Sequence, residues 1–283
     1  MSRSTDISPL SVLLSRVDAV ADGSMARDTI PCGFPSLDKM LGGGFRRGDL
    51  VVLGGDVGSG KSALALAFAI RASLNERHVA FLTAEMTVER VLERVIAIEA
   101  RTRIDDLRQG SLDDQTRASA GVVALQLREN LPILECVPGC GSDQLVALLD
   151  ELPPLDLVVV DSIAGVARGA RAMDEEHATM IRDLKALALS RDVVVLATAP
   201  LPQLATRPDL RPTLDDFGAL GAVKQHADVV LTIFRQDMYE PSRDIEGATE
   251  LLVRKNRNGP IGYVDLYFYS QWMRFEDMLD PDR

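Results

Sequence analysis

Gly55-Asp-Val-Gly-Ser-Gly-Lys61-Ser62 decides the fold of this chain, because it matches the pattern G-x-x-x-x-G-K-[ST] of phosphate-binding loops. The apolar residues 50–54 come directly before it, and an alanine- and leucine-rich segment, 63–70, follows it. This order predicts a strand, a glycine-rich turn and a helix, which is the context in which the pattern binds phosphate. The alternative is a glycine turn that binds nothing.

The residue types in this loop suit a nucleotide. Glycines allow backbone N–H groups to turn toward phosphate oxygens, and the N-terminus of the following helix adds positive partial charge. Lys61 would reach the β- and γ-phosphates, and the Ser62 hydroxyl would be a ligand of Mg²⁺. We therefore expect ATP and Mg²⁺ as cofactors, held by Gly55, Gly58, Ser59, Gly60, Lys61 and Ser62.

The bulk composition describes a protein with a full core. Its 283 residues are enough for one large α/β domain, and 46% of them are hydrophobic. No uninterrupted apolar stretch could span a bilayer, and the first residues lack the apolar core of a signal peptide. We therefore expect a soluble, cytoplasmic protein with no membrane partner. Cys136 and Cys140 flank a Pro-Gly pair, and a plain loop pair is favoured there over a redox or metal site.

The net charge of −11 excludes a basic footprint for nucleic acid over the whole chain. A ring-shaped protein can nevertheless be acidic outside and basic along its channel. Any contact with DNA must therefore be local.

Apolar runs alternate with helical patterns along the chain. Five runs predict buried strands: 50–53, 79–82, 157–160, 193–197 and 229–234. Segments between the first four have the period of helices, which predicts an α/β fold with a mostly parallel sheet and helices on both faces. Near the end, 249–255 and 262–268 alternate around a basic, glycine-containing tip, which predicts a C-terminal β-hairpin.

The first 29 residues are expected to precede the main domain. Residues 1–8 form a disordered tip, and 21–28 form a polar linker. Between them, an amphipathic spacing predicts a short helix with apolar positions Leu10, Leu13, Leu14, Val17 and Val20. A lone helix of this length is marginal in water, so it must dock on its own core or on a neighbouring subunit. The chain thus divides into 1–29 and a nucleotide-binding domain, 30–283.

Two carboxylates follow predicted strands. Asp161 ends the run that begins at 157, and Glu85 comes shortly after the run 79–82. Because the carboxyl ends of parallel strands meet at one edge of a sheet, Asp161 would lie beside Ser62 and hold Mg²⁺. Glu85 would accept a proton from an attacking water or orient it. The alternatives are an aspartate that caps the next turn and a glutamate that caps the helix near Thr87.

The hairpin tip carries Arg254, Lys255 and Arg257 on or next to it. Phosphoryl transfer needs positive charge on the γ-phosphate side, and an arginine from a second subunit can supply it. These three side chains are the natural candidates. The alternative is a basic turn that only faces solvent.

Together these segments resemble the motor domain of the bacterial replicative helicase family DnaB, within the RecA-like ATPases. The resemblance extends from the predicted N-terminal helix to Phe275. Besides the phosphate loop and Asp161, the matching segments are Gly33-Phe-Pro-Ser-Leu-Asp-Lys-Met40, Ala84-Glu85-Met86, Leu184-Lys-Ala-Leu-Ala188, Gln225-His-Ala-Asp228, Lys255-Asn-Arg257-Asn-Gly-Pro-Ile-Gly262 and Gln271-Trp272-Met-Arg-Phe275.

The resemblance implies a RecA-like P-loop NTPase core in which Glu85 is the catalytic carboxylate, Lys61 and Ser62 bind phosphates and Mg²⁺, and Asp161 is the Walker B acid. It implies that Lys255 and Arg257 reach into the site of the next subunit. The active unit would then be a homo-oligomeric ring, usually of six, with the N-terminal helix docked on the adjacent protomer.

The chain also departs from the family pattern. The segment before the core is too short for the family's N-terminal collar domain. The amide that would sense the γ-phosphate falls at Ala199, where only the preceding Thr198 would substitute in part. The family's charged DNA-binding loop reads Gly-Ala-Leu-Gly at 218–221, with the single cation Lys224 nearby.

Two functions remain open at this point. The first is a Mg²⁺- and ATP-dependent helicase or translocase with single-stranded DNA as its partner. The second is a nucleotide-gated assembly or regulatory ATPase of the same fold without helicase activity. The hydrolytic residues fit both, and the altered sensor and DNA loop keep the second open.

Overall fold

The computed structural model describes residues 8–25, 28–169, 171–201, 207–241 and 244–278, with the backbone alone at position 220. The predicted disordered tip falls almost entirely outside these residues. Within them, the chain forms a nine-stranded sheet and a separate two-stranded ribbon. The helices are α1 (Pro9–Ala21), α2 (Pro35–Met40), α3 (Lys61–Leu74), α4 (Val88–Ala100), α5 (Ile104–Gln109), α6 (Asp114–Asn130), α7 (Gly141–Glu151), α8 (Ile163–Val166), α9 (Met173–Arg191) and α10 (Ala222–His226). The strands are β1 (Thr29–Ile30), β2 (Phe45–Arg46), β3 (Leu50–Gly55), β4 (Val79–Thr83), β5 (Ile133–Cys136), β6 (Leu157–Asp161), β7 (Val194–Pro200), β8 (Val229–Phe234), β9 (Ala248–Asn256), β10 (Gly262–Tyr269) and β11 (Arg274–Asp277).

The large sheet has the strand order β11-β10-β9-β8-β3-β7-β6-β4-β5. Strands β8 to β5 in this order are parallel, and β9, β10 and β11 extend the β8 edge in antiparallel fashion. The mostly parallel α/β fold and the C-terminal hairpin are therefore confirmed. Because β3 lies centrally, the loop that follows it opens at the carboxyl edge of the sheet, between β8 and β7.

Both faces of the sheet are covered. On one face α3, α4 and α6 enclose a core that includes Phe68 and Phe81, and on the other α7, α9 and α10 pack over Leu82 and Val195. Every residue of β3 is buried, as expected for a strand with helices on both sides. Burial on both faces makes the central strands near-continuous apolar runs, which is why their positions could be predicted.

The five predicted strands are confirmed, with ends that agree or differ by at most three residues. Two strands of the large sheet were not predicted. Strand β5 is a half-buried edge strand, and β11 alternates charged and buried residues, so neither contains an apolar run. The N-terminal helix was predicted from residue 9 to about residue 20 and spans Pro9–Ala21.

Helix α1 contains no buried residue. Leu10, Leu13, Leu14 and Val17 are each more than half exposed, so the described residues of its own chain leave the apolar stripe uncovered. Throughout the described part of the chain, helices are either too short or too polar to cross a membrane.

The three cysteines are free thiols, and among the described residues no cluster of three potential ligands could hold a metal ion. Cys136 ends β5, and Cys140 precedes α7.

Candidate functional site

The phosphate loop is shaped by its glycines. Gly58 and Gly60 have φ angles of +81° and +101°, in the left-handed region that side chains rarely adopt. A Cβ atom on Gly60 would also lie 2.8 Å from the ring of Phe275, so the C-terminal strands pack directly against the loop. Helix α3 begins at Lys61, and neither Gly60 nor the first turn brings an acidic side chain to its N-terminus. The loop is therefore preformed for an anion.

Lys61 is held at the loop by its own backbone. Its Nζ donates to the carbonyl oxygens of Gly55 (3.0 Å) and Asp56 (2.9 Å). Burial lowers the Lys61 pKa, and the charges of Asp161, Glu85 and Asp56 oppose that shift. The ammonium group thus lies in the cavity, and phosphate oxygens can replace the two carbonyl oxygens that now accept its hydrogen bonds.

A tyrosine that follows the neighbouring strand β8 contacts the same loop. Tyr239, shortly after β8, donates its hydroxyl to Asp56 Oδ2 at 3.0 Å. Asp56 Oδ1 accepts from the backbone N–H of Val57. Burial, followed by the Asp56 carboxylate, raises the pKa of Tyr239 to about 12, so its proton stays on this contact.

Asp161 lies beside Ser62, as its position at the end of β6 predicted. Its Oδ1 accepts from Ser62 Oγ (3.1 Å) and from Thr198 Oγ1 (2.5 Å). Its Oδ2 is buried and has no hydrogen-bond partner among the residues that the structure describes. Burial raises the Asp161 pKa, and the two hydroxyl donors oppose the shift. Ser162, rather than Asp161, caps α8, so the capping alternative for Asp161 does not apply.

These groups fit a divalent cation. A buried carboxylate oxygen without a partner is costly, and a hydroxyl lies next to it. Oxygen ligands of this kind suit Mg²⁺, which is bound through one or two protein groups together with phosphate oxygens and water. Ser62 and Asp161 would hold the ion.

Glu85 points to the same cavity from β4. Its Oε1 accepts from Ser162 Oγ at 2.6 Å, which turns its carboxylate toward β6 rather than toward the N-terminus of α4. Ser162 therefore fixes the orientation of Glu85 next to Asp161. Ser162 was not predicted as a site residue. Its role depends on β4 and β6 being neighbours, which no local pattern reveals.

A cavity of about 420 Å³ joins these groups. Its lining includes Lys61, Ser62, Glu85, Asp161, Thr198 and Arg94. This volume lies within the ~300–1,000 Å³ of small-molecule sites. Arg94, on α4, was not predicted as a site residue.

The altered sensor region contributes a hydroxyl to the carboxylate. Thr198 is fully buried, and its Oγ1 is engaged with Asp161. Ala199 ends in a methyl group. Pro202, the last residue of the sensor stretch, lies outside the described residues.

The basic hairpin tip lies at the opposite edge of the sheet from the phosphate loop. Asn256 pairs with Val229 at the start of β8, and Val229 pairs with Val51 near the start of β3. From Val51 to the loop after Gly55 the chain advances ~13 Å at ~3.3 Å per residue. The tip therefore does not reach the phosphate loop of its own chain.

The cations of the tip differ in their availability. Lys255 donates to the carbonyl oxygens of Lys224 and Ala227, and Arg254 donates to that of Pro212. Arg257 is 51% exposed and forms an ion pair, Nε to Oδ1 at 3.2 Å, with Asp228.

Asp228 joins this arginine to the central strand. Its Oδ2 accepts from the backbone N–H of Leu50 (2.8 Å) and from Lys185 Nζ (2.6 Å). Lys185 also donates to the carbonyl of Gly48. The family-like segments around Lys185 and Asp228 thus meet at one point, under the hairpin tip.

Near the segment 218–221, carboxylates pair with the neighbouring cations. Arg207 bonds Asp216 through both terminal nitrogens (2.7 and 2.8 Å), and Lys224 pairs with Asp215. The segment itself contains no lysine or arginine.

Residues 29–277 match the family model described as the DnaB-like helicase C terminal domain. The chain is 28% identical over 257 residues to "Replicative DNA helicase DnaC" of Bacillus subtilis (strain 168), and 30% identical over 270 residues to "Replicative DNA helicase DnaB" of Leifsonia xyli subsp. xyli. These alignments cover 88% and 91% of this chain but only 56% and 57% of the two relatives.

Two solved structures share the fold. One, described as an ATPase domain, superposes with a TM-score of 0.87 at 22% identity, covering 97% of this chain and 99% of that one. The other, a DnaB-like replicative helicase described with its interactions with primase, superposes with a TM-score of 0.83 at 23% identity, covering 96% and 67%.

Proposed function

Because residues 29–277 match its model, this chain belongs to the DnaB-like helicase C terminal domain family, and we propose that it is a Mg²⁺- and ATP-dependent ring ATPase that moves along single-stranded DNA. The chain spans just over half the length of its curated relatives, whose names state replicative helicase activity. Those names favour the helicase over the nucleotide-gated regulator.

One observation carries the proposal. A buried carboxylate oxygen of Asp161 has no hydrogen-bond partner in the described part of the chain, and it lies beside Ser62 in a cavity that also contains Lys61 and Glu85. Gly55, Gly58, Ser59 and Gly60 complete the proposed nucleotide contacts. Bound Mg²⁺ would supply charge neutralisation for the β- and γ-phosphates.

The residues of this chain divide the chemical work. Lys61 exchanges its carbonyl partners for phosphate oxygens, and Ser62 and Asp161 hold the cation. Glu85 takes the proton of the attacking water, and the Ser162 hydroxyl keeps its carboxylate turned to the cavity.

The site is completed by a neighbouring subunit. Since the hairpin tip lies at the far edge of its own sheet, Arg257 can act on a nucleotide only when another subunit brings one to it. Lys255 would act on the same nucleotide of the neighbouring subunit, although its Nζ here donates to two carbonyl oxygens of its own chain. We propose a homo-oligomeric ring, usually of six in this family, in which the uncovered apolar stripe of α1 packs on the adjacent protomer. Residues 1–29 would then serve as a linker to the ATPase domain, 30–283.

Glu85→Gln keeps ATP bound and lowers its hydrolysis by about 10²- to 10⁴-fold, because the amide has nearly the same size and cannot accept the proton. Turnover and nucleotide affinity are measured on the same preparation. Glu89→Gln, an exposed carboxylate in the first turn of α4, is the matched control and leaves turnover unchanged. Near-normal turnover of Glu85→Gln would show that another residue is the general base.

Single-stranded DNA binds with a shallow salt dependence. Each neutralised phosphate contributes about −0.7 to the slope of log affinity against log salt. Since the segment 218–221 is uncharged and nearby Arg207 and Lys224 are paired with carboxylates, few such contacts form there. Affinity is measured over a salt series with an ATP analogue present to hold the ring closed. A steep slope would reveal a basic channel elsewhere, and no binding at low salt would favour the nucleotide-gated regulator.

A further inference from the structure

Arg94 is a cation in the nucleotide cavity without a protein partner among the described residues. It lies on α4, nine positions after Glu85, and is half-buried in the cavity wall with Lys61 and Asp161. Its guanidinium makes neither a hydrogen bond nor an ion pair with the described part of the chain. Arginine keeps its charge in proteins and has five N–H donors of fixed geometry, and this side chain lines the cavity.

The electrostatic surroundings explain why this charge is tolerated. Burial lowers the Arg94 pKa, and the nearby charges of Asp161 and Glu85 oppose the shift. Those carboxylates attract the guanidinium from a distance without binding it. Arg274, another half-buried arginine, is paired with Glu99 and Glu276, whereas the buried Nε of Arg77 also lacks a hydrogen-bond partner among the described residues. Arg94 differs from Arg77 in lining the cavity that contains Lys61, Ser62 and Asp161, where an anionic ligand would supply its partner.

The sheet order indicates which part of the ligand Arg94 meets. The strands run β3, β7, β6, β4, so the phosphate loop and Glu85 stand on opposite sides of Asp161. Lys61 and the loop amides contact the nucleotide on the β3 side. A group beyond Asp161, next to the proposed base, faces the terminal phosphate.

The end of β7 offers no competing donor for that phosphate among its described residues. The Thr198 hydroxyl is donated to Asp161, and Ala199 has only a methyl group. The cations of the hairpin tip are at the other edge of their own sheet. Within the described residues of one subunit, Arg94 is thus the unengaged donor on the β4 side of the cavity.

We propose that Arg94 binds the γ-phosphate of ATP from within the same subunit and thereby distinguishes ATP from ADP. This inference rests on the proposed function, since it assigns a role toward the same nucleotide. A guanidinium can bind two phosphate oxygens at once, which suits a group that must recognise a terminal phosphate. Arg94 acts in addition to the arginine of the neighbouring subunit.

The test compares equilibrium binding of Mg²⁺-AMP-PNP, a non-hydrolysable ATP analogue, with that of Mg²⁺-ADP. Arg94→Met retains much of the length of the side chain and removes its charge. We expect it to weaken AMP-PNP binding by about 10- to 100-fold, the value of a charge-assisted hydrogen bond, and to change ADP affinity less than about twofold. Arg94→Lys restores part of the preference, since the charge remains without the planar fork.

Arg90→Met is the matched control, because Arg90 lies one turn earlier on α4 and is exposed. It leaves both affinities unchanged. Thermal melting of the nucleotide-free variants separates binding from folding, and Arg94→Lys serves if Arg94→Met does not fold.

Three outcomes would count against these assignments. An unchanged AMP-PNP to ADP ratio in Arg94→Met overturns the role of Arg94, whatever happens to turnover. An equal loss for both nucleotides also overturns it, because Arg94 would then act on the loop or on the inner phosphates. Failure of the unaltered protein to bind either nucleotide overturns the proposed function itself, and with it the ligand assigned to Arg94.

Discussion

Replacing Lys61 with alanine removes tight ATP binding and leaves no measurable hydrolysis. In the proposed complex Nζ bonds both the β- and γ-phosphates, and each bond to a charged group contributes about 1.5–3 kcal/mol. Loss of both corresponds to about 10²- to 10⁴-fold in affinity. The measurement is an equilibrium titration with nucleotide and Mg²⁺, followed by a turnover assay.

Lys39→Ala is the control for this change, because Lys39 is an exposed lysine on α2 and does not line the cavity. Its affinity and turnover should equal those of the unaltered protein. If Lys61→Ala binds and hydrolyses ATP normally, the glycine-rich loop does not hold phosphate, and the proposed function fails.

Arg257→Ala lowers turnover by about 10³- to 10⁵-fold, the range for an arginine supplied by a second subunit. Nucleotide stays bound, because the phosphate loop of each subunit is intact. Mixing Arg257→Ala with Lys61→Ala protein should then restore part of the activity. Some interfaces in the mixture pair an unaltered phosphate loop from one subunit with an unaltered Arg257 from the other.

A second mixture tests the geometry behind this expectation. Lys61→Ala and Glu85→Gln both alter the nucleotide cavity of their own subunit and leave Arg257 intact. In a mixture of the two, no interface therefore has an unaltered nucleotide cavity. That mixture should show no gain over the sum of its components. Restoration in the second mixture, or none in the first when mixed oligomers demonstrably form, would contradict the action of Arg257 on a neighbour.

Short-range patterns predicted the parts of the fold that are buried on both sides. The run at 157–160 and the loop at Gly55 to Ser62 are local signals, and the meeting of Asp161 with Ser62 follows from the rule that parallel strands end at one edge. Edge strands such as β5, which is only partly buried and contains Glu135, carry no such signal, because solvent on one side removes the need for an apolar run.

Contacts between strands could not be predicted in the same way. The bonds of Ser162 to Glu85 and of Thr198 to Asp161 depend on the order β7-β6-β4, which is set by packing across the whole sheet. That Arg94 has no partner within the described ranges can be known only from its three-dimensional surroundings. The residues of local motifs could thus be predicted from the sequence, whereas the residues that orient them could not.

Strand β3 connects two functional regions of the subunit. At its carboxyl end it carries the phosphate loop, and at its amino end the N–H of Leu50 bonds the same Asp228 that holds Arg257. Six residues of strand, ~20 Å long, separate the two ends. In a closed ring, a nucleotide bound at the phosphate loop of one subunit would therefore be connected through β3 to the Arg257 that the same subunit presents to its neighbour. The nucleotides of successive subunits would be connected in this way around the ring. Because the two ends of β3 differ, every connection would run in the same direction.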